Sequence, residues 1–485
     1  QSEQLKNMLK KILMRAAMPP LSNIKPMHVI CKNLIGNNLG NMLFPYSVAR
    51  TLMCEDVVID TMTTAKEYSM TEVKRINEEY DCFVFPFANA FRISFMEELC
   101  RVTSLIKQLK IPCIVIGVGA QAPVNKEPKS AALDEAVKDF MHAVLEKSNI
   151  VGLRGEFTAS YLKKLGFVDG KDFTVIGCPS MYAFGKKLPE MEVKELTPLS
   201  SVSTNSKLDL PQKFHDFMYR SRQAIPDYYY IPQVIEEINA MAIGKKLPSA
   251  FAKKIPNHFP IDFSDPIYKE GKGICFANAQ SWLDFLKQRD FSFGSRIHGN
   301  IAAILAGTPA FIVVSDARIK ELVDYHNIPH IMMKDLNDQT NIFELHQKAD
   351  FGKLQEGHEA RFMHYLDFLH QNGLETIYDE NGDVKGCVPF DEIVERTNFY
   401  GPVRAFSNLS TEDQVRRLQQ YHREMSIRIS YYEKLRPPIK LFCKETVRVK
   451  VLHKRERCVE RFYPLIRSGK PKAKVEDEAA EQENA

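Results

Sequence analysis

The sequence reads as α/β: two Rossmann-like doubly wound domains facing each other across a cleft, with a helical, basic extension at the C-terminal end. Three observations carry this. The 485 residues are too many for one ordinary core and, at roughly 150 residues per domain, suggest two or three. Short β-branched apolar runs alternate with longer amphipathic stretches. Around "KKLPEMEVKELTPLSSVSTNS" Pro, Ser and Thr accumulate and the periodicity lapses, after which a second alternation begins. The expected divisions are residues 1–195, 196–350 and 351–485.

In the first unit "MHVICKN", "DVVID", "DCFVFPF", "IPCIVIGVG", "IVGLRG" and "FTVIGCP" read as buried strands. In the second, "LSSVSTN", "DYYYIPQ", "GICFANA", "DFSFGSRI" and "PAFIVVSD" do, with "AQSWLDFLKQR" and "GNIAAILAG" as the helices between the last three. Right-handed crossovers make each unit a parallel sheet, whose ligands sit at the carboxyl ends of strands. Beyond about residue 350 the strand signals stop. Charge-rich helical segments such as "EDQVRRLQQYHREMSIRISYYEKL" follow, and the acidic tail "VEDEAAEQENA" reads as disordered.

Composition narrows the function classes. Hydrophobic content is 44% with 26% charged residues, and no apolar run approaches the roughly 18 residues of a membrane-spanning helix. The segment "QSEQLKNMLKKILMRAAMPP" lacks the apolar core of a secretory signal. The 10 cysteines are scattered without CxxC pairs, which favours a reducing compartment and argues against a zinc site. A net charge of +4 is too small to argue for nucleic acid, and no recognised nucleic-acid module accompanies it.

Four loops at strand ends could carry chemistry. In "GSRIHGNIAAILAGTPAFIVV", Arg296 and His298 stand where a strand ends and a helix starts, a place suited to an anion. Arg offers a planar fork of donors, and His titrates near neutrality. The alternative is that Arg296 pairs with a structural carboxylate and His298 packs. In "KNLIGNNLGNMLFPYSVAR", Gly36 and Gly40 permit close approach and Asn37, Asn38 and Asn41 offer short polar groups, for a ligand or merely for a tight turn. "IPCIVIGVGAQAP" brings Gly117, Gly119 and Gln121 to a strand end; a plain strand-to-loop transition reads equally well. "IVGLRGEFTAS" places Arg154 and Glu156 after a strand, as an anion contact or as a buried pair that orients the loop.

In this order and spacing, "GNNLGN", "GVGAQA", "GLRGEFT", "VIGCPS", "SVSTN" and "SRIHGNIAAILAGTPAFIVV" resemble the polysaccharide pyruvyl transferase family over about Val29 to Ile331. The resemblance implies a two-domain fold like that of GT-B glycosyltransferases. It also implies transfer of a pyruvyl group from phosphoenolpyruvate, a co-substrate, to two sugar hydroxyls as a ketal, in capsule, exopolysaccharide or cell-wall glycan synthesis. No metal or other cofactor is called for. By resemblance, His298 is the acid/base, and Arg296, Ile297, Gly299 and Arg154 hold the donor. Asn37, Asn38, Asn41, Gly119, Gln121 and Asn89 are the substrate-side candidates. One departure stands out: many members have a Gly-rich turn where this chain has "PFANAFR", which raises Asn89 or Arg92 as substitutes. A glycosyltransferase using a nucleotide sugar, or a non-catalytic scaffold, remains open on the same architecture. The expected partners are phosphoenolpyruvate and a glycan or lipid-linked saccharide. The expected place is the cytoplasm, at the inner face of the membrane if the basic stretch between Arg436 and Lys474 lies on anionic lipid.

Overall fold

The first strand lies nearer the N-terminus than the sequence pattern suggests. β1 (Lys10–Arg15) has Ile12, Leu13 and Met14 all buried, as a central parallel strand covered on both faces requires. It pairs in parallel with β2 (Val57–Met62) on one side and β3 (Cys82–Pro86) on the other, and β3 pairs with β4 (Cys113–Ile116). The pair β5 (Val151–Leu153) and β6 (Phe173–Val175) continues the sheet, since Gly117 and Val118 N–H donate to Gly152 O. The computed structural model describes residues 10–64, 67–124, 128, 130–247 and 255–434, with side chains as far as 426.

"MHVICKN", expected as a strand, is instead α1 (Pro26–Lys32). Pro26 occupies the first helical turn, where its missing N–H costs nothing, and Met27, Ile30 and Cys31 recur at helical spacing on a buried face. Asn33 closes the helix in the left-handed conformation, at φ 52°. The loop "GNNLGN" therefore follows a helix, and it leads into α2 (Leu43–Leu52). After β5 comes α3 (Glu156–Lys164), whose N-cap Gly155 has no side chain with which to satisfy the first-turn amides.

The second sheet runs β12 (His330–Met332), β11 (Ala310–Val314), β10 (Phe291–Gly294), β7 (Val202–Asn205), β8 (Tyr228–Tyr230), all parallel. β12 carries no strong strand pattern and was not expected. "GICFANA" supplies only β9 (Ile274–Cys275), which pairs antiparallel with β13 (Val403–Arg404) outside the main ladder. Both sheets share one order: the first strand lies between the second and third, so each has a switch point beside its first strand. In the second sheet that point lies between β7 and β10, where Asn205 meets Gly294. Gly294 has φ 149°, and a Cβ there would overlap the Asn205 carbonyl.

From β10 the chain enters α4 (Ile297–Leu305), all of it buried except His298, and from β11 it enters α5 (Ala317–Tyr325). Residues 351–408 fold back onto both sheets: Phe368 lies against Gly152 of β5, and the Phe351 ring lies 6.1 Å from that of Phe291 in β10. Arg50 donates to both oxygens of Asp391, at 2.8 and 2.6 Å, and also to Tyr378 Oη and Ala183 O. Asn372 Oδ1 accepts from Asn149 N.

The described residues as far as Glu424 form one compact unit. The charge-rich segment expected to be helical is α6 (Thr411–Lys434); the basic stretch and the acidic tail lie outside the described residues. Among the described residues no helix is long and apolar enough to cross a membrane.

Candidate functional site

The carboxyl ends of β5 and β10 meet where the two sheets face each other. On the second-sheet side, Arg296 is the N-cap of α4 in extended conformation, with its N–H donating to Asn205 Oδ1 at 2.7 Å. Its side chain donates to Ser206 O at 2.9 Å and to the buried Glu237 carboxylate at 3.2 Å. Glu237 also accepts from Tyr230 Oη; burial pushes its carboxyl up while Arg296 pulls it down. Arg296 thus has a structural carboxylate beside it. Ile297 is buried in the core, and Gly299 leaves room for Asn205 and Gln233, which its missing Cβ would strike.

His298, one residue into the helix, is half-buried. Its Nε2 is 3.7 Å from Cys178 Sγ, and the Phe44 ring lies 5.8 Å away. Burial, then the charges of Arg154 and Arg318, hold its imidazole well below the usual range, so it is neutral at pH 7.

On the first-sheet side Arg154 is fully buried. Nε donates to Gly117 O at 2.7 Å and Nη2 to Phe87 O at 3.1 Å, while Nη1 is buried without a protein partner. Such an orphan donor is costly in a native fold. Gly119 packs directly on Arg154: a Cβ there would lie 3.2 Å from its Cδ. Gln121 Oε1 accepts from the Asn89 amide and, at 3.3 Å, from Arg92, so these three form one cluster that joins the "PFANAFR" loop to "GVGAQA". Burial and the Arg318 charge depress Arg92, whose Nε is also buried without a partner.

The asparagines of "GNNLGN" bond within their own turn. Asn37 Oδ1 accepts from Asn33, Asn38 Oδ1 from Gly40 N at 2.8 Å, and Asn41 Nδ2 donates to Gly36 O at 2.8 Å. The turn docks on the second sheet through Leu39 N to Gln233 O and Ile235 N to Asn37 O. What it delivers to His298 is Gly40, where an added Cβ would stand 2.6 Å from the His298 Cβ.

Sequence reasoning missed Lys207, Cys178, Arg318 and Glu321. Lys207 follows β7 and donates to Asp316 at 3.1 Å; burial and Arg318 lower its ammonium to about 8. Arg318 sits in the first turn of α5, with Nη2 3.3 Å from Asp316 and Nε buried without a partner. Glu321, one turn further, accepts from Thr158 of the other sheet, and burial raises its carboxyl to about 7. The strand-end rule that flagged Arg154 and Arg296 applies equally to "VSTNSK" and "VVSDAR". Applied to every strand, it would have found Lys207 and Arg318.

Taken together, Arg92, Arg154, Arg318 and Lys207 shift one another or His298 electrostatically, and Asp316 and Glu321 are the acids among them. Positive charge on buried, partly unpaired donors suits a multivalent anion, and His298 beside it can move a proton. Among the described residues no group of three or more His, Cys, Asp or Glu could hold a metal ion.

The fold and site define a two-lobed α/β protein with buried positive charge gathered at the junction between its sheets. Residues 38–316, more than half the chain, match the family model described as polysaccharide pyruvyl transferase. The chain belongs to the polysaccharide pyruvyl transferase family, and it is a transferase. No curated protein sequence matches it.

Among solved structures, a putative UDP-N-acetylglucosamine 2-epimerase from Listeria monocytogenes is 11% identical, with a TM-score of 0.36 over 78% of this chain and 100% of that one. The Methanocaldococcus jannaschii UDP-GlcNAc 2-epimerase, in complex with UDP-GlcNAc and UDP, is 10% identical, with a TM-score of 0.36 over 74% and 100%. The Anabaena protein HepE, in complex with UDP, is 9% identical, with a TM-score of 0.37 over 75% and 98%. Likenesses this loose say nothing of this chain's substrate.

Proposed function

We propose that the protein transfers the pyruvyl group of phosphoenolpyruvate to two hydroxyls of a sugar, closing a cyclic ketal on a glycan or its lipid-linked precursor. The observation that supports this most is Arg154: a fully buried guanidinium with one unpartnered nitrogen, beside Arg318 and a neutral His298. A ligand carrying both carboxylate and phosphate would satisfy such a set.

In this reading Arg154 and Arg318 hold the donor, and Arg92 lies on the loop side with Asn89 and Gln121. Arg296, already bonded to Ser206 and Glu237, adds charge and fixes the start of α4. Burial and the charges of Arg154 and Arg318 keep His298 unprotonated; binding the anion offsets the two arginine charges, so the imidazole takes up a proton as the donor arrives. His298 then gives that proton to C3 of the enol as the first sugar oxygen bonds to C2. The C2–O bond to phosphate breaks, the second sugar oxygen closes the ketal, and both hydroxyl protons leave with the neutral imidazole and the expelled phosphate.

The test is release of inorganic phosphate from phosphoenolpyruvate in the presence of a glycan acceptor, with His298→Ala as control. Release that depends on acceptor and on His298 supports the reading. Thermal stabilisation by a nucleotide sugar and not by phosphoenolpyruvate would replace it with glycosyl transfer. Glycan modification in cells that survives His298→Ala would replace it with a scaffold role.

A further inference from the structure

One contact between the two lobes that the reaction itself does not use runs through Glu321. Helix α3 opens on Gly155, which has no side chain to cap it. Glu321 reaches over from α5 and supplies the missing cap: Thr158 N–H donates to Oε2 at 3.0 Å, and the Thr158 hydroxyl lies 3.1 and 3.0 Å from the two carboxylate oxygens. That hydroxyl in turn accepts from Ala120 N–H at 2.9 Å, so the network reaches the "GVGAQA" loop. Two glycines make space for it. A Cβ on Gly155 would stand 2.7 Å from Glu321 Cβ, and one on Gly119 3.3 Å from its Oε1. The joint is closed on its other side by Ala317 N–H donating to Ala122 O at 3.2 Å.

We propose that Glu321 is a positioning residue: a carboxylate from one lobe that caps a helix of the other and so sets the spacing between Arg154 and Arg318. The geometry gives it this leverage. Arg318 lies three residues before Glu321 on the same helical face, and Arg154 immediately precedes the N-cap of the helix that Glu321 caps. Each arginine is within a turn of the joint, and both lose their relative placement if it opens. An acid at a helix N-terminus is also favourably placed for the helix dipole. That the arginines bind phosphoenolpyruvate rests on the function proposed above; the cap does not.

The full chain with Glu321→Ala, Glu321→Gln or Thr158→Val tests this by two separate readouts. Amide hydrogen exchange over residues 117–122 and 154–164 reads the cap without any substrate. KM for phosphoenolpyruvate reads the spacing of the arginines. Glu321→Ala is expected to speed exchange in both segments at least tenfold and to raise KM at least tenfold, with kcat changing less than threefold. Glu321→Gln, which keeps an acceptor oxygen, should hold KM within about threefold of the parent. Should Glu321→Ala not fold, Thr158→Val, which removes only the hydroxyl, must show the same direction in both readouts. Unchanged exchange overturns the cap, and an unchanged KM alongside a lower thermal midpoint reduces Glu321 to a structural role. If the parent protein turns over no phosphoenolpyruvate, it is the functional reading that fails. Inorganic phosphate affinity, from thermal shift, then replaces KM, and equal affinity in parent and Glu321→Ala overturns the inference.

Discussion

Replacing Gly40 by alanine tests whether the "GNNLGN" turn is built to seat His298. Gly40 is not in the left-handed region, so alanine is compatible with its backbone and only the new methyl is under test. That methyl would stand 2.6 Å from His298 Cβ, 3.1 Å from its Cγ and 3.1 Å from Asn38 Oδ1. Carbon atoms rest about 3.5–4.0 Å apart, so roughly 1 Å of room must be found. His298 cannot supply it by rotating, because its Cβ is fixed to the α4 backbone and its ring is flanked by Cys178 and Phe44. The turn cannot easily withdraw while Leu39 and Asn37 are bonded to Gln233 and Ile235. Overpacking of this kind costs about 1–3 kcal/mol, and a 1 Å displacement of a group that moves a proton costs about 10²-fold in rate. Gly40→Ala should therefore lower kcat about 100-fold and reduce unfolding stability by about 1–3 kcal/mol, as measured by phosphate release and chemical denaturation. Gly401→Ala, with nothing within 4 Å of the added methyl, is the neutral control. A Gly40→Ala protein with kcat and stability both unchanged would refute the packing of the turn on His298.

Three further outcomes are expected. Binding of phosphoenolpyruvate at pH 7 should take up a proton, because burial and then the charges of Arg154 and Arg318 hold His298 below its ordinary range, and an anion offsets the arginine charges; calorimetry in buffers of different ionisation heat measures it, and zero uptake counts against His298 as the acid. Burial raises the Glu321 carboxyl from 4.5 to about 7, so its protonated form stabilises the fold below pH 4.5 and that contribution is lost as pH rises to about 7. The stability of the parent relative to Glu321→Gln should fall across this window by up to about 3 kcal/mol and stay level above it, and a pH-independent difference would contradict the shift. Arg50→Ala should cost about 2–4 kcal/mol in denaturation, since it strips Ala183 O and Tyr378 Oη of a buried donor, while half-exposed Asp391 regains water; a loss under 1 kcal/mol would mean residues beyond 350 are not held there.

Much of the architecture was legible in the pattern of residues. Buried runs such as "CFVFP", "CIVI" and "AFIVV" could only be strands of a sheet covered on both faces, and the rule that ligands gather at their carboxyl ends singled out Arg154, Arg296, His298, Gly119 and Gln121. It failed where a run was short. "MHVICK" is apolar enough for either state, and Pro26 with its downstream helical spacing tipped it to helix, while β1 was overlooked in a lysine-rich segment because its apolar core is only three residues long. Local pattern, set by backbone geometry and burial, determined from the sequence alone which elements form and which loops face the junction. Only the tertiary structure decided what each side chain meets there. Arg296 finds Glu237, Glu321 finds Thr158 across 163 residues, and Gly40 lies under His298. Partners so distant along the chain are brought together by the packing of two sheets, and no local periodicity encodes that distance.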